Sequence, residues 1–441
     1  MDHFQPARCG RRRAACRKIP LGVGCWLAVR IVFYPGATAR AQEALHSALA
    51  LDAVVLAQTP TVALPPEQPH LGPVSFTLGA YFGVEANDNI NASQNGPQAD
   101  TIIHSGLNVG LFWPATDQSD LNFSLTMGYA KYLRHPSNDR IEIAPGSALT
   151  WKISFDDGSL TFYDQFSDSQ SVTTEASVSG VSNLPRIDNT IGARAGWQPG
   201  RWLFELGYSH DNFFSDAPAD RYLNRASEFF IFRGAHRLAE DTQLGLEAST
   251  SLTGYEIPIQ SNNTSYSLGP YFEWQITHFI NASARGGYTV YAFAANGPGQ
   301  PAQNLSSYYG SLKLTQQLTE FVSHSLSVER DISLGLNQGN NYTEQLTASY
   351  AADWAATANL GLHLNLTYEN GTQPLTELFL GVIPVTVTEK YNRIGISPGI
   401  SYQFTKKLSG SLTGSHWERT SNISGKGYQD NTVAALLNFT F

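Results

Sequence analysis

The chain has 441 residues, of which 42% are hydrophobic and 12% aromatic but only 15% charged, with 38 glycines and two methionines. Many aromatics, much Gly, Ser, Thr and Asn, and few charges favour short strands over helices. Residues 1–41 hold eight Lys and Arg against one acid, leaving 20 basic and 36 acidic residues in the remainder. That acidic excess argues against nucleic acid as a partner, because phosphates dominate such binding.

In chain order, the first segment reads as a signal peptide over residues 1–41. A basic stretch (Arg8, Arg11, Arg12, Arg13, Arg17, Lys18) precedes an apolar run at residues 19–34, interrupted by Arg30. A small-residue site, Ala37-Thr38-Ala39-Arg40-Ala41, places cleavage before Gln42. All three cysteines, Cys9, Cys16 and Cys25, fall in this segment, so the mature chain has no disulfide and no cysteine-based metal site. Residues 42–73 are expected as a periplasmic, Pro-rich N-terminal segment, its first part either a short helix or disordered. After residue 41 no run of 18 apolar, uncharged residues occurs, so no transmembrane helix is expected.

From Val74 the period is two. Val74, Phe76, Leu78, Ala80, Phe82 and Val84 alternate with Ser75, Thr77, Gly79, Tyr81, Gly83 and Glu85. Successive strand side chains face opposite ways, so each segment has one apolar and one polar or small face. The pattern recurs to the last residue, for example at Leu121, Phe123, Leu125 and Met127, and at Leu360, Leu362, Leu364 and Leu366. Connections alternate between short turns, such as Phe155-Asp156-Asp157-Gly158 and Thr405-Lys406-Lys407, and long polar loops, including 87–101, 167–186, 331–341 and 370–389. Short turns on one rim and long loops on the other are the pattern of an outer-membrane barrel. The expected fold is all-β: a transmembrane antiparallel β-barrel of about 18 strands (16–20) over residues 74–441, with both termini periplasmic.

Trp113, Trp151, Trp197, Trp202, Trp274 and Trp354 all neighbour short turns, as a membrane-interface girdle would. Tyr129, Tyr132, Tyr208, Tyr288, Tyr291, Tyr368 and Tyr391 are expected in a second girdle near the long-loop rim. Residues 430–441 alternate Val433, Ala435, Leu437, Phe439 and Phe441 on one face. A terminal strand ending in an aromatic carboxy-terminal residue resembles the assembly signal of bacterial outer-membrane barrels, which assigns that role to Phe439 and Phe441.

The polar face carries the candidate pore-lining residues Lys152, Arg194, Glu205, Glu247, Glu273, Arg285, Lys313, Glu329 and Arg393. With about 18 strands a water-filled lumen is expected, although such charges also serve as salt-bridged struts in the wall. Gly207, Gly245, Ser249, Gly269, Ser283, Gly361 and Gly395 are expected to keep the lumen open. No catalytic constellation, metal motif or phosphate loop is present, and no cofactor is expected. His210-Asp211 and His416 lie near the long-loop rim without a nucleophile at distinctive spacing.

The opening strand VSFTLGAYFGVEANDNI (74–90), its Asn87-Asp88-Asn89-Ile90 stop and the closing strand through Phe441 resemble the outer-membrane porins of the β-barrel porin 2 family. The resemblance implies a porin-like channel in a bacterial outer membrane that passes hydrophilic solutes, with a link to exopolysaccharide export and no catalytic residues. It implies as partners outer-membrane lipid and lipopolysaccharide, the barrel-assembly machinery and polysaccharide-export components. The alternative is a barrel with an adhesin or structural role; a barrel enzyme such as a lipase or protease is less favoured. A plug-gated transporter would need about a hundred residues before the barrel, and only residues 42–72 are available.

Overall fold

A computed structural model describes residues 69–172, 175–181, 183–295, 302–379 and 383–441. The expected signal peptide and most of residues 42–73 lie outside these described residues. Eighteen strands form the wall: β1 (Val74–Asn87), β2 (Asp100–Thr116), β3 (Ser119–Tyr132), β4 (Arg140–Phe155), β5 (Gly158–Ser169) and β6 (Arg186–Trp197). They continue through β7 (Trp202–Phe214), β8 (Arg225–Ala239), β9 (Thr242–Tyr255), β10 (Asn263–Thr277), β11 (Ile280–Phe293) and β12 (Gln303–Thr319). The circuit is completed by β13 (Val322–Leu334), β14 (Tyr342–Ala355), β15 (Leu360–Phe379), β16 (Ile383–Gln403), β17 (Leu408–Ser421) and β18 (Tyr428–Thr440). Each strand pairs antiparallel with its sequence neighbours, and β18 returns to β1 through rungs from Thr432↔Asn87 to Thr440↔Gly79. The sheet is therefore a closed barrel, with a two-residue extension, His70–Leu71, folded back onto β1.

The alternation explains closure. Leu78, Phe82 and Val84 of β1 are exposed on the outer face, as are Leu244 and Leu246 of β9 and Leu412 of β17. A soluble protein does not leave such a belt in water. In hydrocarbon every backbone N–H and C=O needs an internal partner, and only a closed sheet provides one. The wall strands run from 12 to 21 residues. That exceeds the roughly 9–11 a tilted strand needs to cross a bilayer core, so the longest strands project beyond it. This is a membrane-spanning barrel of the outer-membrane type.

Short turns line one rim and long connections the other, and the backbone N–H of Phe441 bonds to the Leu78 carbonyl at 2.8 Å, bringing the C-terminus to the rim where β1 begins. One long loop expected from the sequence is different: residues 370–389 are mostly wall. The β15–β16 ladder continues from Thr372↔Lys390 to Phe379↔Ile383. Where these strands leave the hydrocarbon, polar residues such as Asn370 and Thr372 take the outward positions held lower down by Leu366 and Tyr368.

The inner face is not smoothed by glycine. Lumenal tyrosines cover glycines one or two strands away: Tyr81 over Gly106 and Gly128, Tyr163 over Gly192, Tyr271 over Gly245, Tyr309 over Gly269 and Gly287, and Tyr391 over Gly371. Trp417 covers Gly395 in the same way. Gly245, Gly269 and Gly395 are thus sockets that accept a ring, and do not keep the lumen open as their small size alone suggested. The tyrosine girdle is corrected on the same ground. Tyr129, Tyr208, Tyr288 and Tyr368 are exposed outside, but Tyr291 and Tyr391 are buried on the inner face and Tyr132 packs inward near Ile102 and Ala130.

Candidate functional site: a plugged lumen

The described residues of the loop at 170–185, which joins β5 to β6, lie inside the barrel, and Ala176 and Ser177 reach the opposite wall. At the near end Arg186, almost fully buried, donates to the Ser171 carbonyl at 3.0 Å and lies 3.3 Å from Glu175. At the far end Arg419 of β17 donates through Nε to the Ala176 carbonyl at 2.9 Å. The Ser177 carbonyl accepts from Gln373 of β15 at 2.9 Å and from Asn337 at 3.0 Å. Gly180, in the left-handed region at φ 73°, donates its N–H to the Ala92 carbonyl at 2.8 Å.

These anchors are themselves held. Arg419 pairs with Glu389 at 2.8 Å and Arg393 with Glu369 at 2.5 Å, and all four side chains are essentially buried. Gln373 donates to the second oxygen of Glu389 at 2.7 Å, and its own carbonyl accepts from Asn340 at 2.7 Å and Thr343 at 3.0 Å. The Arg393 guanidinium lies over Trp417 and that of Arg419 over Tyr391, each about 4.3–4.4 Å from the ring centroid. Buried charges are tolerated only when paired and hydrogen-bonded. Here the pairing also makes a rigid platform for the loop tip.

Above this polar latch the mouth has an apolar core. Val172, Val178 and Leu184 of the crossing loop pack with Ala92, Phe213, Leu223, Leu336 and Tyr428, drawn from three other loops and two strands. Tyr222 donates its hydroxyl to the Leu336 carbonyl at 2.9 Å, and burial pushes that phenol up, so it stays a donor. Gln260, fully buried, donates to the carbonyls of Asn337 and Asn340, both at 2.9 Å. Five loops therefore form one packed plug.

All nine candidate pore-lining residues fall on the inner face by register, since each adjoins an outward residue such as Trp151 or Leu312. Six are bound in ion pairs. Arg194 pairs with Glu205, and Arg233 bridges Glu205 and Glu247 at 3.7 and 3.2 Å. Arg285 pairs with Glu329 at 2.9 Å, and Arg393 belongs to the latch. Glu247 also accepts from the Tyr309 hydroxyl at 3.1 Å. Glu273 accepts from Gln243, while Lys152 and Lys313 are exposed towards the short-turn rim. The latch residues Glu369, Gln373, Glu389 and Arg419 were missed in the sequence. The charges of Glu369, Glu389 and Arg419 on the inner-face register were the available signal, but Gln373, Glu389 and Arg419 lie in stretches, 370–389 and 419–430, that read as loop.

The six tryptophans are all exposed, 41–54%, on the outer face at the short-turn ends of their strands. From Trp274 to Tyr266 on β10 is eight residues; at the usual rise and tilt that is about 20 Å, the height of an apolar band. Phe439 and Phe441 are exposed and meet edge to face at 4.8 Å. His210 and His416 share no site: one lies 2.8 Å from Glu228 and the other 2.7 Å from Asn431, both at outward register positions. Among the described residues no group of three His, Cys, Asp or Glu side chains could hold a metal ion.

No family model matches the chain, and no curated protein matches it. The likeness to the β-barrel porin 2 family therefore rests on strand texture and residues 87–90 alone. Among solved structures, the chain is similar to Pseudomonas aeruginosa OccK2 (OpdF) in complex with glucuronate, at 12% identity and TM-score 0.47 over 85% of this chain and 100% of that one. It is similar to P. aeruginosa OpdK with vanillate at 11% identity and TM-score 0.45, over 83% and 99% of the two chains. Acinetobacter baumannii OccAB3 gives 11% identity and TM-score 0.45, over 84% and 100%.

Proposed function

We propose that this chain is an outer-membrane channel for small hydrophilic solutes, with residues 170–185 setting its width. The supporting observation is the loop that crosses an 18-strand barrel and is fastened to the far wall by Arg419 and Gln373 and to a neighbouring loop by Asn337. An unobstructed barrel of this strand number is wide enough for an aqueous pore. A loop across it restricts passage to solutes that slip beside it. The mixed-sign pairs on the wall, Arg194–Glu205 and Arg285–Glu329, leave little net field for selecting ions. Lys152, Lys313 and Arg237 are inner-face cations open to a solute.

A polymer such as an exopolysaccharide would need the whole five-loop plug displaced, so small solutes are the favoured cargo. In this reading both termini are periplasmic, the six tryptophans form the periplasmic girdle, and Phe439 and Phe441 engage the assembly machinery. Membrane lipid and lipopolysaccharide surround the belt.

The test is single-channel recording in planar bilayers. The expected result is small steps for the native chain and larger steps once residues 172–184 are replaced by a short Gly-Ser linker. Protein that is folded by heat-modifiable gel mobility yet silent in both forms would overturn the channel reading.

A further inference from the structure

We infer that the tip of the β13–β14 hairpin is a gate flap, which leaves the plug by zipping its outer strand onto the free edge of β12. The register carries the argument. The β12–β13 ladder ends at Gly310↔Arg330, whereas β11–β12 pairing continues to Phe293↔Gln303 and β13–β14 pairing to Leu334↔Tyr342. Among the described residues, Gln303–Tyr309 of β12 therefore have no rung on the β13 side. A bare strand edge in a barrel wall is a template for pairing.

Beyond that break β13 tucks inside. Ile332 and Leu334 share the register of Leu326 and Val328, which are exposed on the outer face, yet both are buried. They pack against Tyr291, Phe293 and Leu305, which are inner-face residues of β11 and β12. Tyr342, outward by register on β14, stacks on Phe293 with centroids 6.0 Å apart. The hairpin tip thus lies lapped behind its neighbours, and this puts Leu336, Asn337 and Asn340 into the plug.

The sequence of β13 also fits the zipped wall. Continuing the ladder one rung at a time pairs Asp331 with Tyr309, Ile332 with Tyr308, Ser333 with Ser307 and Leu334 with Ser306. The polar Asp331 and Ser333 would then face inward and the apolar Ile332 and Leu334 outward beside Tyr308. Arg330 marks the pivot. It pairs with Glu344, donates to the Ser307 hydroxyl at 3.1 Å and to the Tyr308 carbonyl, and lies 3.8 Å over the Tyr308 ring. It occupies the edge that a zipped β13 would take, so it holds the flap in.

Zipping would withdraw Asn337 from the Ser177 carbonyl and Leu336 from the apolar core, and so widen the path. This rests on the channel reading above, and the experiment separates the two. Ile332 and Tyr308 lie on opposite faces of β12 in the lapped state, and would share a rung, with Cβ atoms about 5 Å apart, in the zipped one. In a cysteine-free background, the pair Y308C and I332C is oxidised in bilayers under applied voltage. Cross-linking is read by mass and by gel mobility after heating. The expected result is a disulfide that forms and fixes a larger conductance, with Arg330→Ala alone increasing the time spent in that larger step. A folded barrel that conducts but never cross-links overturns the flap and leaves the channel. A cross-link that forms without any conductance supports the flap and overturns the channel. If the double variant does not fold, an unchanged step distribution in Arg330→Ala counts against the flap.

Discussion

Lumenal rings seated on glycines are the smallest unit that holds this wall. Gly128 has Tyr81 over it so closely that an added Cβ would collide with the phenol oxygen. Its backbone φ does not require glycine; the requirement is space. Gly128→Ala should therefore cost about 1–3 kcal/mol by overpacking. It should lower the temperature at which the folded gel band converts to the unfolded one. The hydroxyl is the colliding atom, so adding Tyr81→Phe should restore part of the loss. No change in the conversion temperature of the single variant would show that the ring is free to move aside. The glycines stood out in the sequence by number and by alternation. Their partners did not, because a ring is contributed by another strand up to 47 positions away, as Tyr81 is for Gly128.

At the scale of an element, the crossing loop owes its position to the latch, and its described residues form neither helix nor strand. Removing Arg419 leaves Glu389 buried with one charged partner lost and takes a hydrogen bond from Ala176. Breaking one side of a buried pair typically costs about 3–5 kcal/mol. We expect Arg419→Ala to free the loop while the barrel, held by 18 other ladders of hydrogen bonds around its circuit, stays folded. Limited proteolysis added from the long-loop side should then cut within residues 170–185 before any strand, and channel recordings should become noisy. Equal protease resistance in native and variant protein would mean that the apolar core alone fixes the loop. A long polar connection at 167–186 was legible from composition. Its inward course was not, since nothing local to those residues says whether Val172 and Val178 cover a wall or a neighbouring loop.

At the scale of the whole molecule, the apolar outer belt and its aromatic edge fix how the barrel sits in lipid. Six of the eight tryptophans are exposed at one rim, while Trp417 lies inside against Gly395 and Arg393. Brominated lipids labelled near the headgroup should quench most of the tryptophan emission. Bromines at the chain ends should quench it less, and Trp417, kept as the sole tryptophan, should be insensitive to both. Strong quenching from the bilayer centre would place the ring at the wrong depth and the proposed girdle with it. The belt, the strand number and the alternation of short and long connections were all readable beforehand. A period of two acts through neighbouring residues, and lipid imposes it on every strand alike.

The amino-acid sequence by itself determined which side of each strand is apolar, that about 18 such strands must close on themselves, and that one rim carries the turns. Only the tertiary structure decided what fills the interior. The bonds that seat the loop tip join residues 160, 196 and 243 positions apart. The hairpin bearing Ile332 and Leu334 sits inside although its pattern assigns those residues to the outer face. Facing is a local property of a strand, written in alternate residues. The course of a loop across a lumen depends on which distant groups offer it a carbonyl acceptor, a guanidinium or an apolar surface, and those meet only once the wall has closed.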